Sequence, residues 1–199
     1  MFHVKHEGWT PEQLSPAQLD SLDSYEQLLA DHAVPRRMVA ASDLRHLRER
    51  HIQDSLRPIP HIQDGPLDVL DLGSGAGLPG IPIAVARPDL TLTLVEPRQA
   101  RAAFLELVVE RLLLTNVTVL PEPAQRLTPG ASAICLARGF RGLAEAWTIA
   151  RDLLLPDGEL IYWAGATFRT DQVPDDARVV AIASPALESG GPVVIMTRQ

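Results

Sequence analysis

The chain has 199 residues, a formal net charge of −7, 46% hydrophobic residues and a single cysteine. That length fits one domain of ordinary size with a sizeable core and room for a small extension, and it excludes two large domains. The acidic balance excludes a protein that coats nucleic acid through bulk charge, though not one with a local basic face that docks on structured RNA.

No uninterrupted apolar run approaches the roughly 20 residues of a membrane span, and Met1-Phe2-His3-Val4-Lys5-His6 lacks the apolar stretch of a signal peptide. A soluble, cytoplasmic, monomeric protein without a membrane partner is expected. Residues 1–62 read as helical. Thr10-Pro11-Glu12-Gln13 and Ser15-Pro16-Ala17-Gln18 each offer a hydroxyl N-cap, a first-turn proline and the glutamine of a capping box, and only one of them need start the helix. Leu19, Leu22, Tyr25 or Glu26, and Leu29 then recur at helical spacing, which predicts one apolar stripe laid on a larger domain.

Val34-Pro35-Arg36-Arg37 interrupts that helix, and Ser42-Asp43 can cap another that turns Leu44, Leu47, His51 and Ile52 inward. Arg36, Arg37, Arg45, Arg48, Arg50 and Arg57 outnumber Asp43, Glu49 and Asp54 here, so the segment is basic within an acidic chain. A solvated helix face and an RNA-docking face both explain that balance. His51 alone reads as a hydrogen-bonded packing histidine. No cysteine, histidine and carboxylate set has metal-site spacing, so no metal is expected.

From residue 67 strands and helices alternate, the pattern of an α/β domain with a mainly parallel sheet. Strands are predicted at Leu67–Leu72, Leu92–Glu96, Asn116–Leu120, Ala131–Leu136 and Glu159–Trp163, with Arg178–Ala183 and Pro192–Thr197 as a closing antiparallel pair. Helices are predicted from Pro79 to Arg87, over Arg98–Leu114 with Phe104, Leu105, Val108 and Leu112 buried, and over Arg141–Leu155; Pro156-Asp157-Gly158 turns the chain into the fifth strand. Cys135 lies in the apolar run Ala133–Leu136 and reads as a small buried hydrophobe rather than a nucleophile.

The stretch Val69–Pro82 compresses a buried strand, a glycine turn and a helix start into one segment. Gly75-Ala76-Gly77-Leu78-Pro79-Gly80 matches the dinucleotide pattern G-x-G-x-x-G, but Asp71 at the strand end would repel a pyrophosphate. That acid suits instead a cationic ligand carrying an amino group, as S-adenosylmethionine does. Glu96, ending the second strand, can accept two ribose hydroxyls under either reading.

Several segments together make the chain resemble the RsmG (GidB) family, bacterial methyltransferases of guanine N7 in 16S ribosomal RNA. They are Glu49–Leu56, the loop from Asp71 to Pro82, Leu94–Pro97, Phe104-Leu105, Leu114–Val117 and Ala137–Phe140. The resemblance implies a Rossmann-like class I S-adenosylmethionine-dependent methyltransferase fold, with a mainly parallel seven-stranded sheet over residues 63–199 and an N-terminal helical extension over residues 1–62. It implies donor contacts at Gly73, Gly75, Leu78, Glu96 and Arg138, with Ala124 and Gln125 on the adenine. Its implied substrate is 16S rRNA or a small-subunit particle, for which Arg36, Arg37, Arg45, Arg48 and Arg50 of the basic segment, with Arg141, are the candidate contacts. Arg138, Phe140, Arg141 and Trp163 are candidates for the base side of the pocket; Trp163 also suits a core position, and Arg138 a structural partner of Asp71. Basic residues of the family pattern are replaced here by Ala100, Pro123, Ala164 and Gly190. That pattern leaves as alternatives a donor-binding relative with little rRNA activity and, on the glycine match, an NAD(P)-dependent oxidoreductase.

Overall fold

The computed structural model describes residues 13–183 and 190–199. The helix start at Thr10 and the reading of residues 1–6 lie outside the described residues. At Ser15 the capping box forms: the Ser15 hydroxyl accepts the Gln18 N–H at 3.3 Å, Gln18 Oε1 accepts the Ser15 N–H at 2.9 Å, and Pro16 opens α1 (Pro16–Leu28). Leu22, Tyr25 and Leu29 are fully covered. Gln18 Nε2 also donates to Val85 O and Ala86 O, so the same side chain caps α1 and ties it to the domain beneath.

The second helix of the extension departs from expectation. Residues 41–56 wind as a 3-10 segment (Ala41–His46), then wide π-type turns (Arg48–Gln53), then a single turn α2 (Asp54–Leu56). Its N-cap is Ala40 rather than Ser42 or Asp43. A segment that changes pitch this way cannot keep one stripe of about 3.6-residue period. Leu47 and Ile52 are therefore buried while Leu44 is 48% exposed.

Seven strands form one sheet in the order β3-β2-β1-β4-β5-β7-β6. They are β1 (Asp68–Leu72), β2 (Thr91–Val95), β3 (Val117–Leu120), β4 (Ser132–Arg138), β5 (Leu154–Trp163), β6 (Ala177–Ala183) and β7 (Val193–Arg198). The first five pair in parallel, and β7 runs antiparallel to both β5 and β6. Helices α3 (Gly80–Ala86), α4 (Gln99–Arg111) and α5 (Leu143–Leu153) connect them. Pro79 is the N-cap of α3, not its first residue. Pro156-Asp157-Gly158 does not precede the fifth strand but loops out of it: Ser132 pairs with Leu154 and Ile134 with Glu159, so the strand starts at Leu154 and its proline needs no ladder partner.

Two hydrophobic clusters result. One joins Leu22, Tyr25 and Ile52 of the extension to Ile81, Leu105 and Ile134; the other packs Ala146, Trp147 and Leu153 of α5 against Leu72, Cys135 and Met196. Among the described residues no helix is long and apolar enough to cross a membrane.

Because strand order reverses between β1 and β4, a crevice opens beyond their C-terminal ends. Tyr25 is the extension's reach into it: fully buried, it donates its hydroxyl to Ala76 O in the glycine turn at 2.8 Å. Tyr25→Phe leaves that carbonyl without the bond and is expected to lower unfolding free energy by about 1 kcal/mol, read as a reduced urea midpoint at unchanged m-value.

Candidate functional site

Asp71 is 1% exposed, one residue before the end of β1. Its Oδ2 accepts the Gly80 N–H at 3.1 Å, and its Oδ1 is buried without a hydrogen-bond partner among the described residues. Burial pushes this carboxyl up to about 7, against the pull of the Gly80 N–H, Ser74 and the charge of Arg138. The bond requires glycine at position 80, where an added Cβ would stand 2.5 Å from Leu94 and 2.6 Å from Asp71 Oδ2. Ser74 closes the turn by donating its hydroxyl to Asp71 O at 2.8 Å.

The rest of the turn is drawn to Glu96. Glu96 Oε2 accepts the Gly75 N–H at 3.1 Å and Oε1 accepts the Arg98 N–H at 2.9 Å, which aims a carboxylate only 3% exposed from the end of β2. Each oxygen keeps further acceptor capacity. Arg101, which sequence reasoning missed, lies 3.7 Å from Glu96 Oε2 and would stand 3.7 Å from a Cβ added at Gly75. Leu78 is half-buried at the end of the turn. Beyond β3, a 3-10 turn (Ala124–Arg126) buries Ala124 and exposes Gln125. The parallel sheet thus brings Asp71, Gly73, Gly75, Glu96, Ala124 and Gln125 to one edge. A buried acceptor lacking a donor among the described residues, a glycine-rich turn and a held carboxylate fit an ammonium, a nucleoside body and a ribose, the parts of S-adenosylmethionine.

On the other side of β1 the same edge carries Arg138, and its partners lie in the extension rather than at Asp71. Nη2 donates to Arg50 O at 2.8 Å, Nη1 to His51 O and to Ser55 Oγ at 3.2 Å each, and Nη2 approaches Asp54 Oδ2 at 3.4 Å. Nη2 also stands 3.2 Å from His51 Nδ1. A guanidinium only donates, so His51 Nδ1 accepts and Nε2 carries the proton, directed at Asp43 Oδ2 at 3.1 Å. Burial and Arg138 hold the His51 pKa below its ordinary value, in keeping with a neutral ring. These groups wall a cleft of about 530 Å³ with Tyr162, Trp163, Ala164 and Gly190. Trp163 is 7% exposed and donates Nε1–H to Asp54 O at 3.0 Å, so it serves core and cleft together. The Phe140 ring lies against Gly73, where an added Cβ would be 2.5 Å from it, and Arg141 sits 5.7 Å above that ring. Phe140 therefore borders the donor half, one residue beyond Gly139 of the cleft wall.

The basic residues of the extension are unequal. Arg48 pairs with Asp23 and Glu26 on α1, Arg50 with Asp43, and Arg36 with His32 O; Arg141 pairs with Glu145. Arg37 and Arg45 are exposed and form no ion pair among the described residues. Cys135 is fully buried and burial pushes its thiol up, so it offers no thiolate.

Residues 18–186 match the family described as rRNA small subunit methyltransferase G. A ribosomal RNA small subunit methyltransferase G from Burkholderia thailandensis is 35% identical over 190 residues, covering 88% of this chain and 81% of the relative. One from Corynebacterium diphtheriae is 34% identical over 184 residues, covering 89% and 82%. Among solved structures, a SAM-dependent methyltransferase from Aquifex aeolicus superposes with a TM-score of 0.58 at 15% identity, covering 81% of this chain and 95% of that one. The last likeness establishes the Rossmann-like methyltransferase fold.

Asp71 gives the site a pH signature. Its folded pKa lies above the ordinary value of 3.8, so the folded state holds the proton more tightly and stability falls as pH rises from about 4 through about 7. Asp71→Asn lacks this slope. Melting curves between about pH 5 and about pH 8 should show the wild-type protein losing ground to the variant as pH rises.

Proposed function

The chain belongs to the rRNA small subunit methyltransferase G family, and from that membership we infer that it methylates N7 of a guanine in 16S ribosomal RNA with S-adenosylmethionine as cofactor. The observation that supports this reading is the placing, at one sheet edge, of the Asp71–Gly80 turn and Glu96 beside a cleft of about 530 Å³ walled by Arg138. The dinucleotide alternative falls with the family membership.

When bound, S-adenosylmethionine supplies an activated methyl group on a sulfonium. Asp71 Oδ1 would hold the donor's ammonium, Glu96 would accept its ribose hydroxyls, and Gly73, Gly75 and Leu78 would admit its body along the backbone. Ala124 would wall the adenine and Gln125 would hydrogen-bond its edge. Guanine N7 has a lone pair and no proton to lose, so no side chain acts as a general base. What remains is alignment, which supplies several kcal/mol when reacting atoms are held at near-attack distance. Phe140 and Arg138 stand where donor and base must meet, Phe140 as a face for the unstacked base and Arg138 as the brace that keeps the cleft wall in place.

Ala164, Gly165 and Gly190 give the cleft an uncharged wall, which is what favours the second reading, a donor-binding relative with weak rRNA activity. Labelled methyl transfer to 16S rRNA and to intact small subunits decides between them. Incorporation into guanine N7 supports the enzyme, and no incorporation despite tight donor binding supports the relative. Cytoplasmic location, a monomeric state and action on a subunit particle belong to the same proposal.

Their exposure supports Arg37 and Arg45 as the chief phosphate contacts in this reading. Arg45→Glu is expected to weaken binding of 16S rRNA fragments and to shallow the salt dependence by about one unit of log–log slope, with donor affinity unchanged. Arg48→Ala, which frees Asp23 and Glu26, is expected to act on melting temperature instead.

A further inference from the structure

Guanine and adenine both carry N7, so selectivity for guanine has to be read elsewhere on the ring. The commonest protein contact to guanine, an arginine or lysine on O6 and N7, would cover the nucleophile itself. The opposite edge presents N1–H and the N2 amino group, two adjacent donors that call for a group that only accepts, a carboxylate. Resting on the guanine-N7 reading above, we propose that Asp54 selects the acceptor base by taking this edge in the cleft beyond β4 and β5.

Among the described residues two carboxylates line that cleft, Asp43 and Asp54. Asp43 is committed: Oδ1 receives Arg50 Nη1 at 3.2 Å and Oδ2 faces His51 Nε2 at 3.1 Å. Asp54 is hydrogen-bonded on one side and more loosely ion-paired on the other. Its Oδ1 accepts from Arg57 Nη1 at 2.7 Å, while Oδ2 has Arg138 Nη2 at 3.4 Å, beyond a normal hydrogen bond. The Trp163 indole holds the Asp54 backbone carbonyl at 3.0 Å and so fixes where the carboxylate stands in the wall. Arg57 and Arg138 flank it from its own wall, and Ala164, Gly165 and Gly190 opposite bring no further cation.

The placement suits the chemistry as well as the base. The N7 lone pair forms the new bond to carbon and the sulfur keeps the electrons of the old one, so positive charge passes to the guanine ring. A carboxylate on the far edge is worth more to the transition state than to the neutral base. Adenine would instead turn the N1 lone pair toward Asp54, a repulsive contact that rejects it.

The test measures RNA affinity with the protein saturated in S-adenosylhomocysteine, using a 16S rRNA fragment whose contacted guanine is located by protection of its N7 from dimethyl sulfate. That position is then replaced by inosine, which lacks the N2 amino group, or by adenine. Wild type is expected to bind the guanine form about 5- to 150-fold more tightly than the adenine form, the inosine form lying between, and Asp54→Asn to shrink the guanine preference to within about threefold. Equal binding of guanine and inosine by wild type, or an undiminished preference in Asp54→Asn, overturns the proposal. Should Asp54→Asn fail to fold, shown by loss of stabilisation by S-adenosylhomocysteine, the wild-type comparison decides alone. Methyl incorporation is scored separately: its absence beside a preserved guanine preference counts against the reaction and not against Asp54, whereas incorporation beside equal binding counts against Asp54 alone. Absence of any protected guanine overturns both.

Discussion

The hydrogen bond from Gly80 N–H to the buried carboxylate of Asp71 is the constraint on which the site is built. Burying a carboxylate at the end of a parallel strand is costly unless donors meet it. The chain meets one oxygen by bringing the first residue of α3 back over the strand that precedes it. That return path requires no Cβ at Gly80, a tight turn closed by Ser74, and a left-handed backbone at Gly77, where an added Cβ would strike Ile81 and Tyr25. The second oxygen has no hydrogen-bond partner among the described residues. The same turn that lets the helix begin therefore keeps one acceptor for a cationic ligand, and the fold and the donor site are one solution to one electrostatic problem.

Arg138 does the corresponding work on the acceptor side. It ends β4, and its guanidinium spans Arg50 O, His51 and Ser55, so the extension forms a wall of the cleft rather than an appendage. This explains the fate of the extension's positive charge. Arg48 and Arg50 are spent on internal carboxylates, and the surface available to phosphates is narrower than the run of arginines suggests.

Much of this was legible in the chain because it depends on local signals. Ser15 and Gln18 cap as their spacing demands, the apolar runs become strands, and Asp71 followed by glycines announces a turn with an acid at its root. What was not legible depends on partners far away in sequence. Leu44 fits the expected stripe, yet tertiary contacts wind residues 41–56 with changing pitch and leave it in solvent. Pro156 looks like the end of a connection, but the pairing of β5 with Ser132 draws its flanks into the strand. Arg138 carries no sign in its own neighbourhood that it will bind carbonyls some 87 positions earlier. Arg101 and Asp54 gain meaning only when Glu96 and Trp163 are placed beside them.

The two halves of the crevice thus differ in kind. The donor half is shaped by one buried acid whose charge is withheld by its surroundings, and the acceptor half by ion pairs that brace a wall. If Asp71 shares its proton near neutrality in the free protein and pairs with the donor's ammonium when that ligand binds, binding must expel the proton. Calorimetric titration of S-adenosylmethionine in buffers of differing ionisation enthalpy, between about pH 6 and about pH 7, measures this directly. Net proton release that disappears in Asp71→Asn is the expected result; binding with no proton exchange in the wild-type protein would contradict it.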